Sequence, residues 1–152
     1  MSTLAIDIGA TKFAIAIVSS SREISLRQEI PASQLWDGLA KILAEVAEDH
    51  SHQVTKIGIG SAGPINTQTG EISPLNIAAW RNFPIVAKVK EIFPQAQVRM
   101  VGDAVALAVA AVKEVKTGGV EEVSVPFLFF AGEDKTTGVV AAVAVFAAVD
   151  ED

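Results

Sequence analysis

Leu4-Ala5-Ile6-Asp7-Ile8-Gly9-Ala10-Thr11-Lys12-Phe13-Ala14-Ile15-Ala16-Ile17-Val18 is the stretch that decides the fold. Two apolar runs, 4–8 and 13–18, flank a small polar turn, the pattern of two buried strands in a hairpin. Outward from it, polar residues 19–23 lead into 24–30, which roughly alternates and predicts a third strand. Pro31 and Ser33 precede apolar residues at helical spacing: Leu35, Trp36, Leu39, Ile42, Leu43 and Val46. Ser33 is the expected N-cap of that helix, and the polar 48–52 ends it. A strand over 54–59 is broken by Gly60-Ser61-Ala62-Gly63-Pro64. A polar loop then reaches Pro74, and 75–80 reads as irregular. Phe83-Pro84 opens a helix to Phe93, 97–101 is a strand, and Gly102-Asp103 ends it. The Ala-rich 104–115 reads as a helix, and 123–130 with 139–149 as a hairpin tail. Strands alternating with helices predict an α/β layered domain with part of its sheet parallel.

The 152 residues fit one lobe, and half of them are apolar, enough for one core. With 12 basic and 18 acidic residues the net charge is −6, which argues against a nucleic-acid backbone or an anionic membrane as the main partner. The absence of Cys excludes disulfides and thiolate zinc sites, and His50 and His52 are too few for a His-rich site. The uncharged 139–149 is shorter than the ~18–20 residues that span a bilayer. The expectation is a soluble, cytoplasmic protein. Trp36 and Trp80 read as packing residues.

Three elements carry chemistry. In Asp7-Ile8-Gly9-Ala10-Thr11-Lys12, Gly9 lets backbone N–H groups approach an anion, Thr11 adds a hydroxyl and Lys12 a cation. Asp7 beside a phosphate is a candidate ligand of Mg²⁺. Gly60-Ser61-Ala62-Gly63-Pro64 lies where small residues at a strand's carboxyl end leave room for a ligand. Asp103, at a strand-to-helix junction, is either a helix N-cap or a general base for a hydroxyl.

In this order and spacing the elements resemble the N-terminal lobe of the ROK family of sugar kinases, a branch of the actin-like ATPase superfamily. The strings are 4–12, Ile57-Gly58-Ile59-Gly60-Ser61-Ala62-Gly63-Pro64-Ile65, Ser73-Pro74-Leu75-Asn76-Ile77-Ala78-Ala79-Trp80, and Gly102-Asp103-Ala104. They resemble most the N-acetylmannosamine kinase-like and glucokinase-like members, over residues 3–114. The resemblance implies an actin-like, ribonuclease H-type lobe with a mixed sheet. It implies ATP and Mg²⁺ as cofactors and 6-phosphorylation of a hexose or N-acylhexosamine. It assigns Asp7, Gly9, Thr11 and Lys12 to the ATP phosphates, Asp103 to the catalytic base, and Ser61, Gly63 and Asn76 to the sugar pocket. Family members carry Asn before the catalytic Asp; here it is Gly102. The family's adenosine pocket, Glu-x-Gly-His motif and Cys-rich zinc site have no counterpart in these residues. The tail, 120–152, reads as a remnant of the second lobe's first hairpin. A non-catalytic sugar-binding or interaction domain on the same fold is the competing expectation.

Residues 139–149 bear no charge and do not alternate, so both faces of that strand seek cover. A homodimer through this strand is the expected outcome. Light scattering at tens of micromolar checks it: a dimer is predicted, and a strict monomer contradicts it.

Overall fold

The structure is a computed structural model that describes residues 1–21 and 23–102. Asp103, the expected 104–115 helix and the expected hairpin tail lie outside the described residues.

The opening run folds as the alternation requires. Strand β1 (Ser2–Ile8) turns into β2 (Lys12–Ser19), and the two pair antiparallel with Leu4 opposite Ile17, Ile6 opposite Ile15 and Ile8 opposite Phe13. Strand β3 (Ile24–Pro31) pairs antiparallel with β2 and forms the outer edge. Helix α1 (Leu35–His50) then carries the chain across to β4 (Val54–Ser61), which lies parallel to β1. A parallel pair needs such a crossover, because a tight turn returns only an antiparallel strand. Strands β5 (Ile65–Asn66) and β6 (Glu71–Ile72) make a small hairpin. Helix α2 (Ile85–Ile92) leads to β7 (Gln97–Gly102), parallel to β4. The main sheet therefore runs β3-β2-β1-β4-β7, mixed as expected, with helices packed on it.

Two local expectations change. Ser33 is no helix N-cap: it sits in a 3-10 turn, Ala32–Gln34, and α1 starts after it from Gln34, whose side chain makes no cap. Leu35, at the junction, has φ +52°, which separates the two helical segments. The β5–β6 hairpin falls in what reads as a plain loop. Asn66 Oδ1 accepts from the amides of Gln68 and Thr69 at 3.0 and 3.2 Å, and Gly70 takes φ +77°, so polar turn chemistry makes the hairpin.

One face of the sheet carries the core. Leu4, Ile6, Ile8, Phe13, Ile15 and Ile17 are buried against Leu39, Leu43 and Val46 of α1 and Ile85 and Val89 of α2. Ala5, Ala14 and Ala16 form a second, smaller buried cluster, on the opposite face by strand alternation. Aromatic rings tie the segment before α2 to the sheet. Trp80 lies between Phe13, at 5.1 Å and 20°, and Phe83, at 4.2 Å and 3°. Trp36 meets Phe83 at 5.8 Å, with the Lys88 ammonium 5.4 Å from the Trp36 ring. Both tryptophans are packing residues, as their surroundings in sequence suggest. Among the described residues no helix is long and apolar enough to cross a membrane.

Trp80 is 3% exposed and sandwiched, so Trp80→Ala leaves a large void. A loss of roughly 3–5 kcal/mol in a denaturant titration is expected. A loss below about 1 kcal/mol would show that the stack does not hold the segment.

Candidate functional site

The three parallel strands end together. Ile8 pairs with Ser61, and Ser61 pairs with Gly102, so β1, β4 and β7 all terminate on one row across the sheet. The first turn and the small-residue loop therefore leave from the same edge, where Gly102, the last described residue, also lies. In open α/β sheets that carboxyl edge is where ligands bind.

At the turn, the Gly9 amide donates to the Lys12 carbonyl at 3.1 Å. A Cβ on Gly9 would lie 2.6 Å from that same oxygen, so glycine is required by the closeness of the chain. Ala10 and Thr11 are exposed, and the Thr11 carbonyl accepts from the Ala32 amide at 2.9 Å. The 3-10 turn thus buttresses the hairpin tip. Asp7 is half-buried, and its neighbours in register are Ala14 and Gly60.

Lys12 has a partner that the sequence did not announce. Its ammonium lies 2.5 Å from Glu29 Oε2 on β3, and Arg27 Nη2 donates to Glu29 Oε1 at 2.9 Å. The Lys12 hydrogen bond first, then that from Arg27, holds the Glu29 carboxyl below its ordinary 4.5. A depressed carboxyl stabilises the fold above that ordinary value, and the contribution fades as pH falls through the lowered one. Both side chains are about a third exposed, at 29% and 33%, so water screens the pair. Its worth to folding is about 0.2–1 kcal/mol.

Ser61 is 1% exposed, and its hydroxyl donates to the Ala62 carbonyl at 3.2 Å. Gly63 has φ +95°, and a Cβ there would lie 3.1 Å from the Ser73 carbonyl and 3.2 Å from the Leu75 amide nitrogen. Loop backbone thus lies directly against the 73–75 segment, and the Ser73 amide donates to the Pro64 carbonyl at 2.9 Å. Beyond it, Arg81 Nη1 donates to the carbonyls of Pro74 and Ile77 at 2.8 and 3.1 Å. The guanidinium fixes the loop that carries the exposed Asn76. Ala10 of the first turn and Asn76 line one cleft of about 300 Å³, together with Ser33, Leu35 and Ala79.

Of the candidate residues, Asp7, Gly9, Thr11, Lys12 and Ser61 meet at one sheet edge, with Gly63 in the loop that leaves it. Asn76 lines the cleft with Ala10 of the turn, and Asp103 lies outside the described residues. Glu29 and Arg81 escaped the sequence reading. Glu29 needs the β2–β3 register to be found, and Arg81 needs the fold of the loop it staples. Among the described residues no group of three or more His, Cys, Asp or Glu could hold a metal.

The strand order, the mixed pairing and the shared carboxyl edge define an actin-like ATPase lobe. The solved structures that superpose on the chain include sugar kinases, a ROK family transcriptional regulator and, at 14% identity and TM-score 0.59, the RuvC of Thermus thermophilus, which shares the fold alone. Among the kinases, a ROK hexokinase from Thermus thermophilus gives TM-score 0.59 and 29% identity over 72% of this chain and 38% of that one. A ROK family glucokinase from Streptomyces griseus, in complex with glucose and AMPPNP, gives TM-score 0.56 and 25% identity, covering 72% and 36%. The sequence model of the ROK family matches residues 3–125, and the chain belongs to that family. It is 36% identical over 97 residues to the N-acetylmannosamine kinase of Salmonella typhimurium, covering 60% of this chain and 33% of the relative. The chain spans about a third of the length of the curated relatives it matches.

Proposed function

We propose that this chain acts as the substrate-facing lobe of an ATP- and Mg²⁺-dependent sugar kinase, phosphorylating the 6-hydroxyl of a hexose or N-acylhexosamine. The observation that carries this reading is the common end point of β1, β4 and β7 at Ile8, Ser61 and Gly102. It gathers a phosphate-type turn, a loop of small residues and the approach to Asp103. Kinship with N-acetylmannosamine kinases and with a glucokinase holding glucose and AMPPNP supports the substrate class.

In this reading Asp103 orients the sugar hydroxyl and takes its proton as the oxygen attacks. The amides at the tip of the turn, at Ala10 and Thr11, with the Thr11 hydroxyl and Lys12, face the phosphates in this reading, the Gly9 amide being used within the turn. Magnesium-ATP supplies the phosphoryl group and part of the charge neutralisation. Asp7, half-buried at the carboxyl end of β1, is the residue that would hold Mg²⁺. A single carboxylate suits Mg²⁺, which keeps several waters and phosphate oxygens around it. Ser61, Gly63 and Asn76 shape the sugar side, where positioning supplies most of the catalysis. The cytoplasm, where ATP is available, is the compartment this activity calls for, and self-association through 139–149 belongs to the same proposal.

Phosphate transfer from Mg²⁺-ATP to N-acetylmannosamine or glucose tests it. Asp103→Asn should lower turnover by roughly 10²–10⁴-fold with the fold intact. Near-normal turnover removes Asp103 from the mechanism. Gly102 has no positive φ, and a Cβ there meets nothing within 4 Å, so Gly102→Asn fits without strain. It restores the Asn that the family carries and should tighten sugar binding by roughly twofold to tenfold, the worth of one hydrogen bond.

A further inference from the structure

The Lys12–Glu29–Arg27 group lies on the face of the sheet that carries Asp7. Asp7 is in register with Ala14, and Ala14 is in register with Glu29, so the two carboxylates sit in one row with a single alanine between them. Lys12, two residues before Ala14 on the same strand, shares that face. Its ammonium is turned along the sheet to Glu29. A cation held this way gives an arriving anion less than its full charge, because the carboxylate must first be displaced.

We propose that Glu29 is a displaceable counter-ion that positions Lys12 and so sets how tightly the first turn takes a polyanion. The inference rests on the phosphate reading of that turn. Glu29 touches no reacting atom and is a positioning residue acting through Lys12.

The geometry makes the exchange inexpensive. Each oxygen of Glu29 serves one cation: Oε2 takes Lys12 and Oε1 takes Arg27. When Lys12 leaves for a phosphate, Glu29 keeps Arg27 and no bare carboxylate is left behind. Lys12 and Glu29 are 29% and 33% exposed, so the bond broken is a screened surface bond. A phosphate group offers more charge and three acceptor oxygens in return. The turn therefore rests with its lysine neutralised and recovers the positive charge when a polyanion arrives.

The test is an NMR titration of the full chain with sodium pyrophosphate, followed at the amides of residues 9–12, for wild type, E29Q, K12M and K12M/E29Q. E29Q should bind about twofold to fivefold more tightly than wild type, the range of a surface ion pair. K12M should bind more weakly, and E29Q should then add nothing in the K12M background. A gain that persists without Lys12 reports a general loss of negative charge and overturns the proposal. So does wild-type affinity in E29Q when K12M is weakened, and that result leaves the phosphate reading standing. No pyrophosphate binding in any variant overturns both. The amide spectra of the free variants read the fold directly, since Glu29 and Lys12, each about a third exposed, lie outside the core clusters.

Discussion

Phe13 leaves the first turn one residue after Lys12 and stacks at once on Trp80. Much of the site depends on that contact. The turn must be placed relative to a loop more than sixty residues further on, and no backbone ladder joins the two. The ring stack does the joining, continued outward by Phe83 and Trp36. Such stacks add roughly 0.5–1.5 kcal/mol per pair beyond the area they bury. They also fix a direction, which a general apolar contact does not. With Trp80 set, Arg81 is placed to bind the carbonyls of Pro74 and Ile77, and the Asn76 loop is held against the turn.

Polar order is built on this apolar frame. One face of β1 and β2 is given to branched side chains and Phe13, so that face sits on the helices. The other face carries Ala5, Ala14 and Ala16, with Asp7 and Lys12 at the end nearest the turn. The alanines are buried, and the charged groups lie at the end of that face nearest the turn. A lysine near a carboxylate is cheap to keep at a surface and cheap to release. Chemistry thus concentrates where the strands stop, and stability concentrates in the side that faces α1 and α2.

Much of this was legible in the sequence, for identifiable reasons. Strands β1, β2, β3, β4 and β7 announce themselves because apolar runs and alternation are strong signals in half-buried sheets. The hairpin at Ile65 and Ile72 was not, since two-residue strands have no period to read; only Asn66 and Gly70 hinted at a turn. Ser33 looked like an N-cap because its spacing to the apolar face was right, but a 3-10 turn used those residues first. Lys12 could be nominated for a phosphate from its place after Gly9. Its bond to Glu29 could not, because it depends on strand register. The grouping of Ser61 with Gly102 is likewise a fact of pairing that no single string contains. Asp103 was nominated from its junction and from the family resemblance, and it lies outside the described residues.

The central claim is that the turn at 9–12, the loop at 61–63 and the Asn76 loop form one site at a shared sheet edge. Backbone amide mapping with Mg²⁺-ATP and N-acetylmannosamine added together addresses it most directly. The account predicts that the largest shifts fall on 9–12, 61–63, 76 and 102, with the exposed face of α1 silent. Shifts confined to α1 or to the outer edge of β3, with those four segments unmoved, would contradict it.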